Sequence, residues 1–153
     1  MAAMHNKRFP LFVDLTGKSA VVIGGGTVGL RRAEILRRFG AVVTVISPSL
    51  ARSVEGVRHI ARAYEDGDLT GAFLAVAAAD DPAVNEAAGR EARRLGVFFN
   101  RSDEPGGCDF FFPAVCEGGN MVAGLAGDGS DHRKIARTAE EIRKILTNSE
   151  DNT

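Results

Sequence analysis

The apolar positions of this chain change period along its length, and each change marks a new element. Ala20-Val-Val-Ile23 is a continuous apolar run, as a strand covered on both faces should be. From Thr27 to Phe39 the period turns helical. Gly29, Ala33 and Leu36 share one face with Val28, Ile35 and Phe39 beside it, and Arg31, Glu34 and Arg38 fall opposite. Gly40 is a natural residue to end that helix. Ala41 to Ile46 is β-branched and nearly continuous, which predicts a second strand buried on both faces. A weaker strand is expected at Val57 to Ala61, a polar turn at Glu65 to Asp68, and a buried strand at Ala72 to Ala78. Asp80-Asp81-Pro82 then opens a helix with an acidic cap and a proline in its first turn. Val84, Ala87, Ala88, Ala92 and Leu95 hold helical spacing up to Gly96, and Val97 to Asn100 makes a fifth strand.

This alternation predicts an α/β fold: a Rossmann-like, doubly wound parallel sheet with helices on both faces. After Asn100 the pattern changes. Arg101 to Gly107 is a polar loop, and Asp109 to Val115 and Met121 to Leu125 are strand candidates separated by Glu117-Gly-Gly-Asn120. A last helix follows Gly127 to Asp131, with Ile135, Ala139, Ile142 and Leu146 as its apolar face. Phe110-Phe-Phe112 before Pro113 reads most simply as a buried strand ending at the proline.

Bulk composition excludes several classes. The chain has 153 residues, 44% hydrophobic and 25% charged, with a formal charge of −1. That suits an ordinary soluble domain with one main core and gives no footing for nucleic-acid binding. No apolar run approaches the ~20 residues of a membrane span. Met1 to Lys7 has no apolar h-region, so no secretory signal is expected. Cys108 and Cys116 form no framework and are expected as free thiols in a reducing cytoplasm. His5, His59 and His132 are isolated, so no metal site is expected. Arg31, Arg32, Arg37 and Arg38 read as a solvated helix face.

The chemistry concentrates where the first strand meets the first helix. Gly24-Gly25-Gly26-Thr27-Val28-Gly29 carries G-x-G-x-x-G in the strand-to-helix setting that makes the motif informative. Gly24 serves a tight turn, Gly26 lets a pyrophosphate approach, and Gly29 packs helix on strand. The helix N-terminus then offers N–H groups and partial positive charge to the phosphates. Ligands of open α/β sheets bind outside the carboxyl ends of the strands. Ser47-Pro48-Ser49, Ala78-Ala79-Asp80 and the segment from Asn100 to Asp103 should reach the same edge. Ser47 stands where an acid would hold the adenosine ribose, and no arginine follows until Arg52. Ser47 or Ser49 could bond the ribose; the choice between NAD and NADP stays open, with a lean to NAD. Asp103 could take a proton while the cofactor takes a hydride, although composition alone reads it as a turn former.

Four stretches together resemble the precorrin-2 dehydrogenase domain of siroheme synthases, which in some members is also a sirohydrochlorin ferrochelatase. They are Phe9 to Leu15, Val22 to Ala33, Ala75 to Asn85, and Asn100-Arg-Ser-Asp103 followed by Cys108 to Ala114. The resemblance implies that NAD accepts a hydride from precorrin-2, a tetrapyrrole with eight carboxylates, to give sirohydrochlorin. The family's general base falls on Asp103. Its NAD contacts fall on the glycine loop with Thr27 and Val28, and on Pro48 and Ser49. The implied organisation is an NAD-binding Rossmann domain over 1–107, a strand–helix dimerisation segment over 108–147 and a disordered tail over 148–153. A cytoplasmic homodimer is expected. Many members continue into a helical domain that helps enclose the tetrapyrrole; a partner subunit could supply that cover here, and chelatase activity stays open.

Two other functions compete. One is an NAD(H)-sensing regulatory module, which shares the glycine loop but usually carries an acid after the second strand and lacks a Cys108-to-Pro113 run. The other is a non-catalytic tetrapyrrole-binding protein on the same fold. Ser47 and the Cys108 to Pro113 segment favour the dehydrogenase.

Overall fold

The computed structural model describes residues 7–148, so His5 and the tail from 149 onward lie outside the described residues. Two compact units emerge. The first, Val13–Phe110, contains β1 (Ser19–Ile23), α1 (Thr27–Arg38), β2 (Val42–Ile46), β3 (Arg58–Ile60), β4 (Leu74–Ala77), α2 (Pro82–Leu95) and β5 (Phe98–Arg101). Its sheet has the order β3-β2-β1-β4-β5 and every pairing is parallel. Ile23 lies opposite Ile46 on one side and Ala77 on the other. The chain winds outward from β1 to β3, returns past β1, and winds outward again from β4. The switch point therefore lies between β1 and β4, where such sheets open a crevice for ligands.

Alternation along the strands divides the core between two faces. Val21, Ile23, Ala75, Ala77 and Phe99 cluster with Ala88 and Ala92 of α2. Ala20, Val22, Leu74 and Val76 are buried on the other face, where α1 covers β1, β2 and β4. The buried stripe of α1 is Gly29, Leu30, Ala33 and Leu36, which differs from the expectation at two positions. Leu30 is fully buried and Val28 is half exposed. Val28 belongs to the first helical turn, beyond the carboxyl ends of the strands, and has no sheet beneath it. Val42 is likewise exposed at the start of β2 and is not covered on both faces.

The ends of α2 follow their sequence signals. Asp81 accepts a hydrogen bond from Ala83 N at 2.9 Å, Pro82 opens the first turn, and the helix ends at Gly96. Two polar residues share its buried stripe, Asn85 and Glu91, both fully enclosed. Glu91 accepts from Tyr64 Oη at 2.7 Å and from the backbone N–H groups of Gly67 and Leu69 at 2.5 and 3.4 Å. It fastens the loop after β3 to α2.

The second unit takes residues 7–12 and the chain from Phe111 onward. It holds β6 (Ala114–Gly118), β7 (Met121–Leu125) and α3 (His132–Asn148). β6 and β7 form a hairpin in which Gly118 lies opposite Met121. Its two-residue turn places Gly119 at φ 59°, the left-handed conformation that suits strand twist and favours glycine at the first turn position. Cys116 is buried against Ala139 and Leu146 of α3, and Asp131 accepts from Lys134 N at 2.9 Å at the start of that helix.

The strand expected over Asp109 to Val115 is not formed; β6 begins at Ala114 and runs through Glu117 and Gly118. The reason lies in where residues 109 and 110 spend their hydrogen bonds. Asp109 N donates to Phe99 O at 2.7 Å, and Phe110 O accepts from Asn100 Nδ2 at 2.9 Å. The Phe110 ring stacks on Phe98, centroids 5.1 Å apart. These contacts tie 108–110 to the margin of β5, so the first unit reaches Phe110 where the sequence places its end at 107. Pro113, with no N–H, cannot extend a ladder backward from Ala114.

Candidate functional site

β1 delivers the chain to the switch point, and three of its glycines are fixed there by crowding. Gly24 has φ 111°, and a β-carbon on it would overlap the Ala78 carbonyl oxygen across the seam. At Gly25 a β-carbon would overlap Ser49 O and come within 2.6 Å of Ser47 Oγ. At Gly29 it would overlap Gly24 O. Gly26 is different: a β-carbon there would meet nothing within 4 Å. That open side is the cradle a pyrophosphate would fill. Gly26 is also the N-cap of α1, no side chain caps it, and no acid lies in the first turn. Backbone donors and the helix dipole are thus left to favour an anion. Gly26, Thr27 and Val28 are exposed around this opening. The residues present fit a dinucleotide.

At the end of β2, Ser47 is buried, and its hydroxyl donates to Ser49 O at 2.5 Å. His59 Nε2 donates to Ser47 O at 2.7 Å, and Ala51 N donates to Gly25 O at 2.8 Å. Ser47 therefore braces the loop against the glycine turn, while Pro48 and Ser49 are exposed at its crest. Arg52, the first cation after β2, pairs with Glu34 of α1 at 2.9 Å.

The loops after β4 and β5 complete the edge. Ala78 N donates to Ile23 O at 2.7 Å, and Ser102 N to Ala77 O at 2.9 Å. Asn85 grips Ala79 from both sides: its Nδ2 donates to Ala79 O at 2.9 Å and its Oδ1 accepts from Ala79 N at 3.0 Å. Asp80 is exposed beside it. Asp103 is held by Arg101 through two parallel bonds, Nε to Oδ1 at 2.8 Å and Nη2 to Oδ2 at 3.0 Å. The remaining Arg101 nitrogen donates to Glu86 Oε2 of α2 at 2.6 Å. Arg101 pulls the Asp103 carboxyl down to about 2, and the Asn85 side chain adds to the effect.

Hydrogen bonds and close approaches thus bring the glycine loop, 47–49, 78–80 and 102–103 to one edge. Two residues that matter there, Asn85 and Arg101, carry no expected role in the sequence. A third, Arg32, corrects the reading of a solvated helix face. It is partly buried, donates to Asn100 Oδ1 at 2.7 Å, and has its pKa lowered by burial. Asn100 itself is almost fully enclosed. Position offered a signal for Asn85, which sits three and seven residues before Ala88 and Ala92 on the buried stripe. Among the described residues no group of three His, Cys, Asp or Glu could hold a metal ion, and no helix is long and apolar enough to cross a membrane. Both cysteines are free, Cys116 buried and Cys108 partly so.

Comparison with known proteins agrees with this geometry. Residues 11–114 match a family model described as "Putative NAD(P)-binding". The chain is similar to the "Probable multifunctional siroheme biosynthesis protein HemA" of Ruminiclostridium josui, 35% identical over 93% of this chain and 30% of that protein. It is also similar to the "Siroheme synthase" of Azotobacter vinelandii, 37% identical over 84% of this chain and 29% of that one. The chain therefore spans about 30% of the length of these curated relatives. Among solved structures, "SirC, precorrin-2 dehydrogenase" matches with a TM-score of 0.74 and 25% identity, covering 90% of this chain and 71% of that one.

Proposed function

The chain belongs to the NAD(P)-binding family of that model, and from this premise we propose that it is an NAD-dependent precorrin-2 dehydrogenase of siroheme biosynthesis. The observation that carries the reading is the convergence of an open glycine cradle and Asp103 on one edge of the sheet, at and beside the switch point. The glycine loop and the N-terminus of α1 hold the pyrophosphate, with Thr27 and Val28 along its flank. Pro48 and Ser49 border the adenosine, with Ser47 bracing them from below. Ala78, Ala79 and Asp80, held by Asn85, border the nicotinamide half. Bound there, NAD would supply the hydride acceptor, and Asp103 receives the proton that leaves the substrate together with the hydride.

The enzyme is further proposed to work as a cytoplasmic homodimer through the segment over 108–147. Met121, Val122 and Ile145 are exposed apolar residues on that unit and support such a contact. A partner subunit that helps enclose the tetrapyrrole belongs to the same reading.

The test is anaerobic turnover of precorrin-2 with NAD, with NADP alongside, following sirohydrochlorin by its visible absorption. Growth of that spectrum, lost in Asp103→Ala, is expected. NAD binding without turnover would point to a missing partner or a sensor, and no NAD binding would overturn the reading at its root.

A further inference from the structure

Asp103 is not a free carboxylate. Arg101 occupies one lone-pair direction on each of its oxygens, the planar fork-to-fork geometry that gives arginine–carboxylate pairs their strength. The third arginine nitrogen is taken by Glu86. Arg101 is nearly enclosed, its side chain 11% exposed, whereas the Asp103 side chain is 29% exposed. Other charged and polar groups complete the surroundings. Glu86 has Arg93 at 3.8 Å and Arg90 at 3.9 Å, and Asn85 bears on Asp103 from α2. Such a carboxylate is well aimed but poor at taking a proton, because general bases work best with a pKa near the working pH.

We propose that Arg101 is the positioning residue of Asp103, and that a carboxylate of an acidic substrate competes with Asp103 for the same guanidinium. Arginine binds carboxylates in one preferred fork geometry, so an incoming carboxylate offers it an equivalent partner. Once Arg101 turns to the substrate, Asp103 loses its strongest partner and becomes a better base beside the bond to be oxidised. Recognition of the substrate's acidic rim and activation of the base are then one event. The inference rests on the reading of Asp103 as the base.

Two measurements test it. The first follows the Asp103 carboxyl carbon by NMR in protein labelled with carbon-13 aspartate, assigned by its loss in Asp103→Asn. The wild type should titrate well below an ordinary aspartate. Arg101→Gln should raise the midpoint by one to two units, and Arg101→Lys, which keeps charge without the fork, should fall between. The second compares acid limbs of turnover of precorrin-2 with NAD. The limb of kcat/KM reports the free enzyme and that of kcat the substrate complex. Arg101→Gln should move the kcat/KM limb upward and leave the kcat limb in place, because in the complex the wild type has already given Arg101 away. An ordinary Asp103 titration in the wild type, or limbs that shift together, would overturn the proposal. Full turnover by Asp103→Asn would instead remove the base itself, whatever the titration shows.

Discussion

Gly24 and Ala78 meet across the seam between β1 and β4 with no room for a β-carbon between them. This is where the winding of the sheet reverses, so the crevice in which such sheets take a ligand begins at a close backbone approach. Gly26, two residues on, faces open space. The proposed function thus asks two separable duties of one motif, closure of the fold at Gly24 and admission of a ligand at Gly26.

Gly24→Ala and Gly26→Ala should separate those duties. At position 24 the substitution meets both a φ of 111° and the Ala78 carbonyl. We expect a loss of about 2–4 kcal/mol in stability. At position 26 the backbone is already extended and the space is open, so the cost should not exceed about 1 kcal/mol of capping preference. Affinity for NAD should nevertheless fall at least about tenfold there, as the pyrophosphate meets a methyl group. Thermal melts paired with calorimetric NAD titrations read both effects. Equal loss of stability in the two variants would defeat the division.

Asn85→Ala leaves the N–H and C=O of Ala79 without their side-chain partners in a partly buried position. A loss of about 1–3 kcal/mol is expected. The loop at 78–80 should also loosen, so KM for NAD should rise more than kcat falls. An unchanged KM would mean that this loop does not border the cofactor.

How much of this was legible in the sequence depends on what kind of signal carried it. Apolar period and caps announced all five parallel strands, and Asp81, Pro82 and Gly96 marked the ends of α2. Phe110 to Phe112 misled because apolarity does not say which partner a segment finds. Phe110 stacks on Phe98, and Pro113 bars a ladder before Ala114. Arg32, Asn85 and Glu91 were hidden for a different reason. Hydrophobic period counts a polar residue as solvated, whereas each of these is drawn inward by a hydrogen-bond partner brought near only by folding. Asp103 could be placed beyond β5, yet its bond to Arg101 could not, since two residues so close in sequence meet only when the turn bends them together.

Glu91 offers a check on the structural side of that argument. Its carboxylate takes three hydrogen bonds inside the core face of α2, and burial together with Glu91 raises the pKa of Tyr64. Glu91→Ala should cost about 3 kcal/mol, since two backbone N–H groups and a phenol lose their acceptor at once. Tyr64→Phe, which removes one bond and keeps the ring, should cost about 1 kcal/mol. Urea unfolding compares them. If both variants were equally mild, Glu91 would not be what fastens the loop after β3.

The Arg101–Asp103 pair also fixes a dependence of stability on pH. The folded carboxyl lies near 2, below the unfolded aspartate value of about 3.9. A lowered folded pKa means that the unfolded chain binds the proton more readily, so acid favours unfolding. The contribution is complete above the unfolded value and disappears as pH falls through the folded one. Asp103→Asn should therefore be less stable than the wild type by about 1–2 kcal/mol at pH 7, a discounted figure for a partly exposed pair. That gap should stay constant between pH 5 and pH 8 and narrow from about pH 4 downward. Urea melts of both proteins at pH 7, 5, 4 and 3 measure it. A gap that widens in acid would show that Asp103 binds its proton more tightly in the folded protein, which its bond to Arg101 forbids.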